Sequence, residues 1–166
     1  MGNIKQFIKD DGGRYRYFPL TTKKHKVGDC VIRAISIASG LDYKKVMKDL
    51  FERALDQGDF PNEERVYGPY LKELGFVKQK PQYHIQHDEA EDENGILIHD
   101  HNDMPLLREV KRKKRLQDVD VDYNKSYIFL TRNHLTAVIN GENRDIWDCG
   151  RWCANSYYER KEVSNG

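Results

Sequence analysis

The sequence predicts an α+β fold, with helices leading and an antiparallel β-sheet following. Three observations carry that expectation. An almost wholly apolar helical run starts at Cys30, an amphipathic stripe covers 42–56, and the last third alternates like strands around Asn140-Gly141. At 166 residues the chain is long enough for a sizeable core, so 1–166 reads as a single domain.

Taken in order, residues 14–20 (RYRYFPL) alternate as a strand or hairpin arm does. The basic segment Thr21 to Lys26 leads into a Gly28-Asp29 turn. Asp29 is a good N-cap residue, which places Cys30 in the first helical turn. Val31, Ile32, Ala34, Ile35, Ile37 and Ala38 leave almost no polar face, the mark of a central buried helix, and Gly40 closes it. Asp42 caps a second helix through about Asp56, in which Val46, Met47, Leu50, Phe51 and Ala54 recur at helical steps. Gly58 to Glu64 is loop-like, and a short third helix around Val66 to Leu74 stops at Gly75.

The middle is less regular. Phe76-Val77 and Gly95 to Ile98 look like short strands, separated by the acidic run Asp88 to Glu93, so 88–94 reads as an acidic loop. Met104 to Gln117 reads as a helix whose second half, Lys111 to Arg115, is strongly basic. Tyr127 to Thr131, His134 to Ile139 and Arg144 to Cys149 read as strands, the last two joined at Asn140-Gly141, a strong hairpin signal. A further strand covers Trp152 to Tyr158, and 159–166 reads as a flexible tail.

Composition narrows the function classes. Charged residues make up 33% of the chain but leave a formal net charge of +1, which demands neither nucleic acid nor a membrane surface as partner. No apolar run approaches the ~20 residues of a membrane span, and the opening MGNIKQFIKDDGG has no signal-peptide core. Gly2 fits a myristoylation start, but Gln6 stands where Ser or Thr belongs. Three cysteines are too few, and odd in number, for a disulfide scaffold, so a reducing cytoplasm is expected.

The chemistry centres on Cys30 and His134. A thiol is a nucleophile as thiolate, and the positive end of a helix dipole lowers its pKa. A histidine opening a strand can act as the base, with an acid on the returning strand to orient it. With Asn140-Gly141 as the turn residues, Thr136 sits opposite Asp145 and His134 opposite Trp147, so Asp145 is diagonal to His134 on one face and within reach of its Nδ1. A one-residue bulge would reverse the parity and make Asp148 the partner. Free cysteine usually just packs. Gly28-Asp29 before Cys30, and a strand histidine with acids across the hairpin, turn the reading toward a nucleophile.

GDCVIRAISIASG followed by NHLTAVINGENRDIWDCG resembles the papain-like cysteine peptidase superfamily, in particular small stand-alone versions found in bacteriophage and bacterial genomes. The resemblance covers about 35 residues in two blocks. It implies a papain-like domain with a Cys-bearing helix packed on a C-terminal antiparallel sheet. It also implies a triad of Cys30, His134 and Asp145 or Asp148, without a cofactor or metal. The expected activity is a thiol hydrolase or transferase acting on a peptide, isopeptide or amide bond, with a protein or peptide as partner. For a phage-encoded chain the place would be the host cytoplasm or the virion. The family often carries a Gln a few residues before the cysteine as oxyanion donor; here Thr21 to His25 stand there, leaving Lys24 or His25 for that role. The alternative is a catalytically inactive protein of this fold that binds a host or virion protein through its basic helix and acidic loop.

Other signals have plainer readings. Ile98-His99-Asp100-His101-Asn102-Asp103 has an HxHxD order, with His84 and His87 nearby, but Met104 replaces the expected histidine. Asp118, Asp120 and Asp122 start like an EF-hand, yet Tyr123 replaces its glycine and Phe129 its glutamate. Cys149 and Cys153 form a single pair with no second pair for zinc. Aromatic residues do not interleave with Lys111 to Arg115 as base-stacking platforms would.

Overall fold

The computed structural model describes residues 1–24 and 27–161, with backbone alone for 22–24. It is an α+β fold. Strand β1 (Gln6–Lys9) precedes two short helices, α1 (Arg14–Tyr17) and α2 (Pro19–Lys24). Three longer helices follow: α3 (Cys30–Ser39), α4 (Tyr43–Gln57) and α5 (Glu64–Glu73). The remaining strands are β2 (Val77–Gln79), β3 (Tyr83–Glu89), β4 (Leu107–Lys113), β5 (Lys125–Thr131), β6 (His134–Ile139), β7 (Glu142–Asp145) and β8 (Tyr157–Lys161).

Six strands form one sheet in the order β1-β7-β6-β5-β8-β2. Only β1 runs parallel to its neighbour, pairing Phe7 with Asn143; the other pairs are antiparallel. Helix α3 packs across the middle of this sheet, against β6, β5 and β7. Strand alternation then sorts the core into two layers. Ile128, Leu135, Ala137 and Tyr158 face α3, α4 and α5, whereas Tyr127, Phe129 and Val138 face Leu116, Val119, Val121 and Cys149 on the other side.

Helix α3 forms as its sequence requires. Val31, Ile32, Ala34, Ile35 and Ala38 are buried, and each large aliphatic among them contributes about 1.5–3 kcal/mol. Gly40 ends the helix at φ 73°, a left-handed conformation costly for other residues. Asp42 then caps α4, its carboxylate accepting from the Lys44 and Lys45 backbone N–H groups.

Several expectations are corrected. Residues 14–20 are not a strand: Gly12 and Gly13, at φ 68° and 94°, turn the chain into α1, and Pro19 opens α2. Tyr17 and Phe18 pack on the helical core instead. The expected helix over Met104 to Gln117 is strand β4 followed by a 3₁₀ turn at Leu116–Asp118, because β4 pairs along its length with β3, Tyr83 opposite Lys113 and Glu89 opposite Leu107. Asp88 and Glu89, assigned to the acidic loop, are the end of β3. Gly95 to Ile98 holds an isolated bridge, Glu91 with Leu97, rather than a strand. The third strand of the C-terminal hairpin region stops at Asp145, and the final strand begins at Tyr157. Of the expected tail, 159–161 belongs to β8, while 162–166 lies outside the described residues.

Candidate active site

The β6–β7 turn decides the geometry. Asn140 and Gly141 both have positive φ (53° and 74°), the signature of a two-residue type I′ turn, and Ile139 pairs with Glu142 without a bulge. The ladder therefore keeps the parity that sets Asp145 beside His134. His134 Nε2 lies 2.5 Å from Asp145 Oδ2, with both side chains buried. The ring thus presents Nε2 to the carboxylate, where the sequence pointed to Nδ1; this leaves Nδ1 for a second partner.

Asp148 is not part of this arrangement. It is exposed and its Oδ1 accepts from the Gly150 N–H, forming a local turn after the chain has left the ladder. With no bulge, parity carries it away from the ring.

Cys30, half-buried at the first position of α3, approaches His134 from the helical side. Burial pushes the thiol pKa up, but hydrogen bonds with the His134 ring and the Leu135 backbone N–H, with the charges of His134 and Arg33, outweigh it and leave it below the ordinary value. The reciprocal effect acts on His134. Burial alone would lower its pKa, yet hydrogen bonds to Asp145, Cys149 and Cys30 and the Asp145 charge carry it up to about 11. Both shifts favour the charged pair, sulfur as thiolate and ring as imidazolium.

Asp145 is held on every side. Its Oδ1 accepts from the Ile146 backbone N–H (2.7 Å) and faces Arg33 Nη2 at 3.4 Å, and the Thr136 hydroxyl donates to it as well. Burial would raise this carboxyl, but the His134 bond and charge dominate and hold it below the usual range.

Beneath the pair lies a buried ionic cluster that sequence reading missed. Asp29 stands at the N-cap position of α3 but makes no side-chain cap. Its carboxylate turns inward, bonding Arg33 Nη1, accepting from the Tyr43 hydroxyl at 2.7 Å and facing Arg14 Nη1 at 3.5 Å. Charge-assisted bonds of this kind are stronger than a bond to a neutral backbone N–H, which is why the cap is forgone. The first N–H groups of α3 are therefore left without a side-chain cap beside the sulfur. Arg14 Nε and Arg33 Nε are buried without a partner among the described residues, a surplus of donors that favours negative charge nearby. The legible signal was Arg33 itself, a cation on an apolar helix four residues after Asp29.

Cys149 approaches from the second core layer. Its sulfur, a His134 ring nitrogen and an Asp145 oxygen all lie within 4.8 Å of one another, and it sits 3.9 Å from Asn143 Oδ1. This is the one grouping with metal-ligand spacing found among the described residues. His99, Asp100, His101 and Asp103 do not gather into such a group; Asp100 Oδ1 instead accepts from Asn102 and Met104 N–H in a tight turn. Trp147 covers the imidazole, ring centroids 4.8 Å apart, and Trp152 meets Trp147 edge-on at 5.1 Å.

A cavity of about 650 Å³ opens over these groups, bordered by Gly28, Cys30, Asn133, His134 and Trp147, with Arg33 in its wall. Of the residues suggested as a further oxyanion donor, His25 and the Lys24 side chain lie outside the described residues. Among the described residues no helix is long and apolar enough to cross a membrane. Comparison with protein-family models, curated proteins and solved structures finds no match to this chain.

Proposed function

We propose that this chain is a papain-like thiol hydrolase or transferase acting on a peptide, isopeptide or amide bond, working in the cytoplasm. One observation carries the reading: a half-buried sulfur, a carboxylate-held imidazole and uncapped helix N–H groups meet at the edge of one open cavity.

The chemistry follows from the positions. The Cys30 thiolate attacks the carbonyl carbon of the scissile bond, and the oxyanion is stabilised by the Cys30 backbone N–H. The imidazolium of His134 gives a proton to the leaving amine, which departs as the thioester forms. Water, deprotonated by the now neutral ring, attacks the thioester; the acid product leaves and the thiolate–imidazolium pair is restored. An amine in place of water makes the same site a transferase. Asp145 holds the ring through Nε2 and stabilises its charged form throughout.

The test is incubation of the purified chain with a complex peptide mixture, read by mass spectrometry. New termini or transferred acyl groups are expected with the native chain and absent with Cys30→Ala. A second reading, an inactive protein of the same fold that binds a host or virion protein, is favoured by the exposed two-stranded ribbon of β3 and β4. Identical peptide profiles for native chain and variant would select it.

A further inference from the structure

The ribbon is the part of the molecule that the active site does not explain. Strands β3 and β4 pair over seven residues each and form a sheet of their own, packing mainly on one another. At its root Lys114 N–H donates to the Gln82 carbonyl. At its far end three short segments close a cycle: Ala90 N–H donates to Leu106 O, Leu106 N–H to Ile98 O, and Ile98 N–H to Ala90 O. From that junction two small turns extend, one around Asp92–Gly95 and one around Asp100–Asp103.

Two properties of this ribbon call for a partner. The first is apolar exposure. Ile85, Ile96, Ile98, Met104, Leu106 and Leu107 are between 39% and 63% exposed. Exposed apolar side chains gathered in one small element mark an interaction site. An isolated two-stranded ribbon is also marginally stable, and both its edges carry open main-chain groups. The second is charge polarity. Between Ala90 and Leu106 there are five acids (Glu91, Asp92, Glu93, Asp100, Asp103) and no Lys or Arg. The stem, 83–89 with 107–115, has six Lys or Arg against three acids, Asp88, Glu89 and Glu109. Arg108 and Lys111 in that stem have no ion-pair partner among the described residues.

We infer that the ribbon pairs with the ribbon of a second copy of this chain, lying antiparallel so that the acidic tip of each meets the basic stem of the other. A two-fold axis makes both contacts at once, since residue i meets j and j meets i. Nucleic acid fits less well, because the acidic tip would repel the backbone that the stem attracts. The occupant is self-complementary in both charge and apolar surface.

Sedimentation velocity from about 1 µM to about 100 µM, the range in which modest interfaces assemble, tests the inference on the full chain. A monomer–dimer equilibrium is expected. Reversing the tip (Glu91→Lys with Glu93→Lys) or the stem (Arg108→Glu with Lys111→Glu) should weaken it about tenfold or more, while circular dichroism stays native. Asp92 and Asp100 are spared because they hold the turns. Mixing the tip-reversed with the stem-reversed variant should restore dimers, since both tip–stem contacts are then attractive. A chain that stays monomeric, a dimer indifferent to either reversal, or a mixture that fails to recover would each overturn the inference.

Discussion

The end of the sheet around His134 and the ribbon of β3 and β4 handle charge in opposite ways. At the sheet end, Arg14, Asp29, Arg33, His134 and Asp145 are buried and bonded to one another. On the ribbon, acids and bases are largely in solvent, and Arg112 of β4 meets Asp88 of β3 at 3.0 Å. Burial makes each charge at the sheet end depend on its neighbours, because removing one partner leaves another stranded in low dielectric. Exposure makes the ribbon tolerant of change within the monomer. The contrast teaches that the first region sets protonation states, whereas the second presents surface.

Five substitutions sharpen or break that contrast. The largest effect is expected on chemistry. Cys30→Ala should lower amide turnover by on the order of 10⁴ or more, as loss of a nucleophile does, while leaving the melting curve close to native. Loss of turnover together with loss of fold would mean that Cys30 serves as a packing residue.

Next in size is Asp29→Ala. It strands Arg14 and Arg33 beside the site and should cost about 3–5 kcal/mol in urea unfolding, the scale for breaking a buried charge pair. A cost within ~0.5 kcal/mol, ordinary for a surface position, would remove the ionic cluster from the account.

The third concerns pH. Asp145→Asn keeps the shape but removes the charge that helps carry the His134 pKa to about 11. The imidazolium should then deprotonate at lower pH, and the alkaline limb of amide turnover should move toward the ordinary histidine range near ~6.5. The stability consequence has a definite sign. A folded pKa raised to about 11 contributes stability that is full below ~6.5 and lost as pH rises through about 11. In the variant that loss should come earlier, read as a melting temperature that falls at lower pH.

The smallest effect is expected on the ribbon. Ile85→Ala, at a 54% exposed position, should change monomer stability by no more than ~0.5 kcal/mol. The same change at fully buried Ile35 should cost about 2–5 kcal/mol. Equal costs at the two positions would mean that the ribbon is part of the monomer core.

Much of the site region was legible because its signals are local and geometric. Asn140-Gly141 forces the hairpin register, and strand parity then sets Asp145 rather than Asp148 beside His134. The apolar run after Cys30 similarly leaves α3 nowhere to go but the core. The ribbon was illegible for the converse reason. With both faces in solvent, β4 carries no apolar alternation, and its Leu, Arg, Glu and Lys content favours helix by propensity alone; pairing with β3 overrides it. Strand β1 was hidden because its partner, β7, lies more than a hundred residues away. Arg14 was hidden inside a segment that alternates like a strand, so the ionic cluster it joins could not be seen.

The central claim, that sulfur and imidazole share a proton above a buried carboxylate, is tested most directly by alkylation. Iodoacetamide labelling of Cys30, followed by peptide mapping across pH, has an internal reference in the exposed Cys153. Cys30 should label faster than Cys153 at neutral pH, with an inflection below the ~8.5 of an ordinary thiol. Labelling no faster than at Cys153, or an inflection at or above the ordinary thiol range, would contradict it.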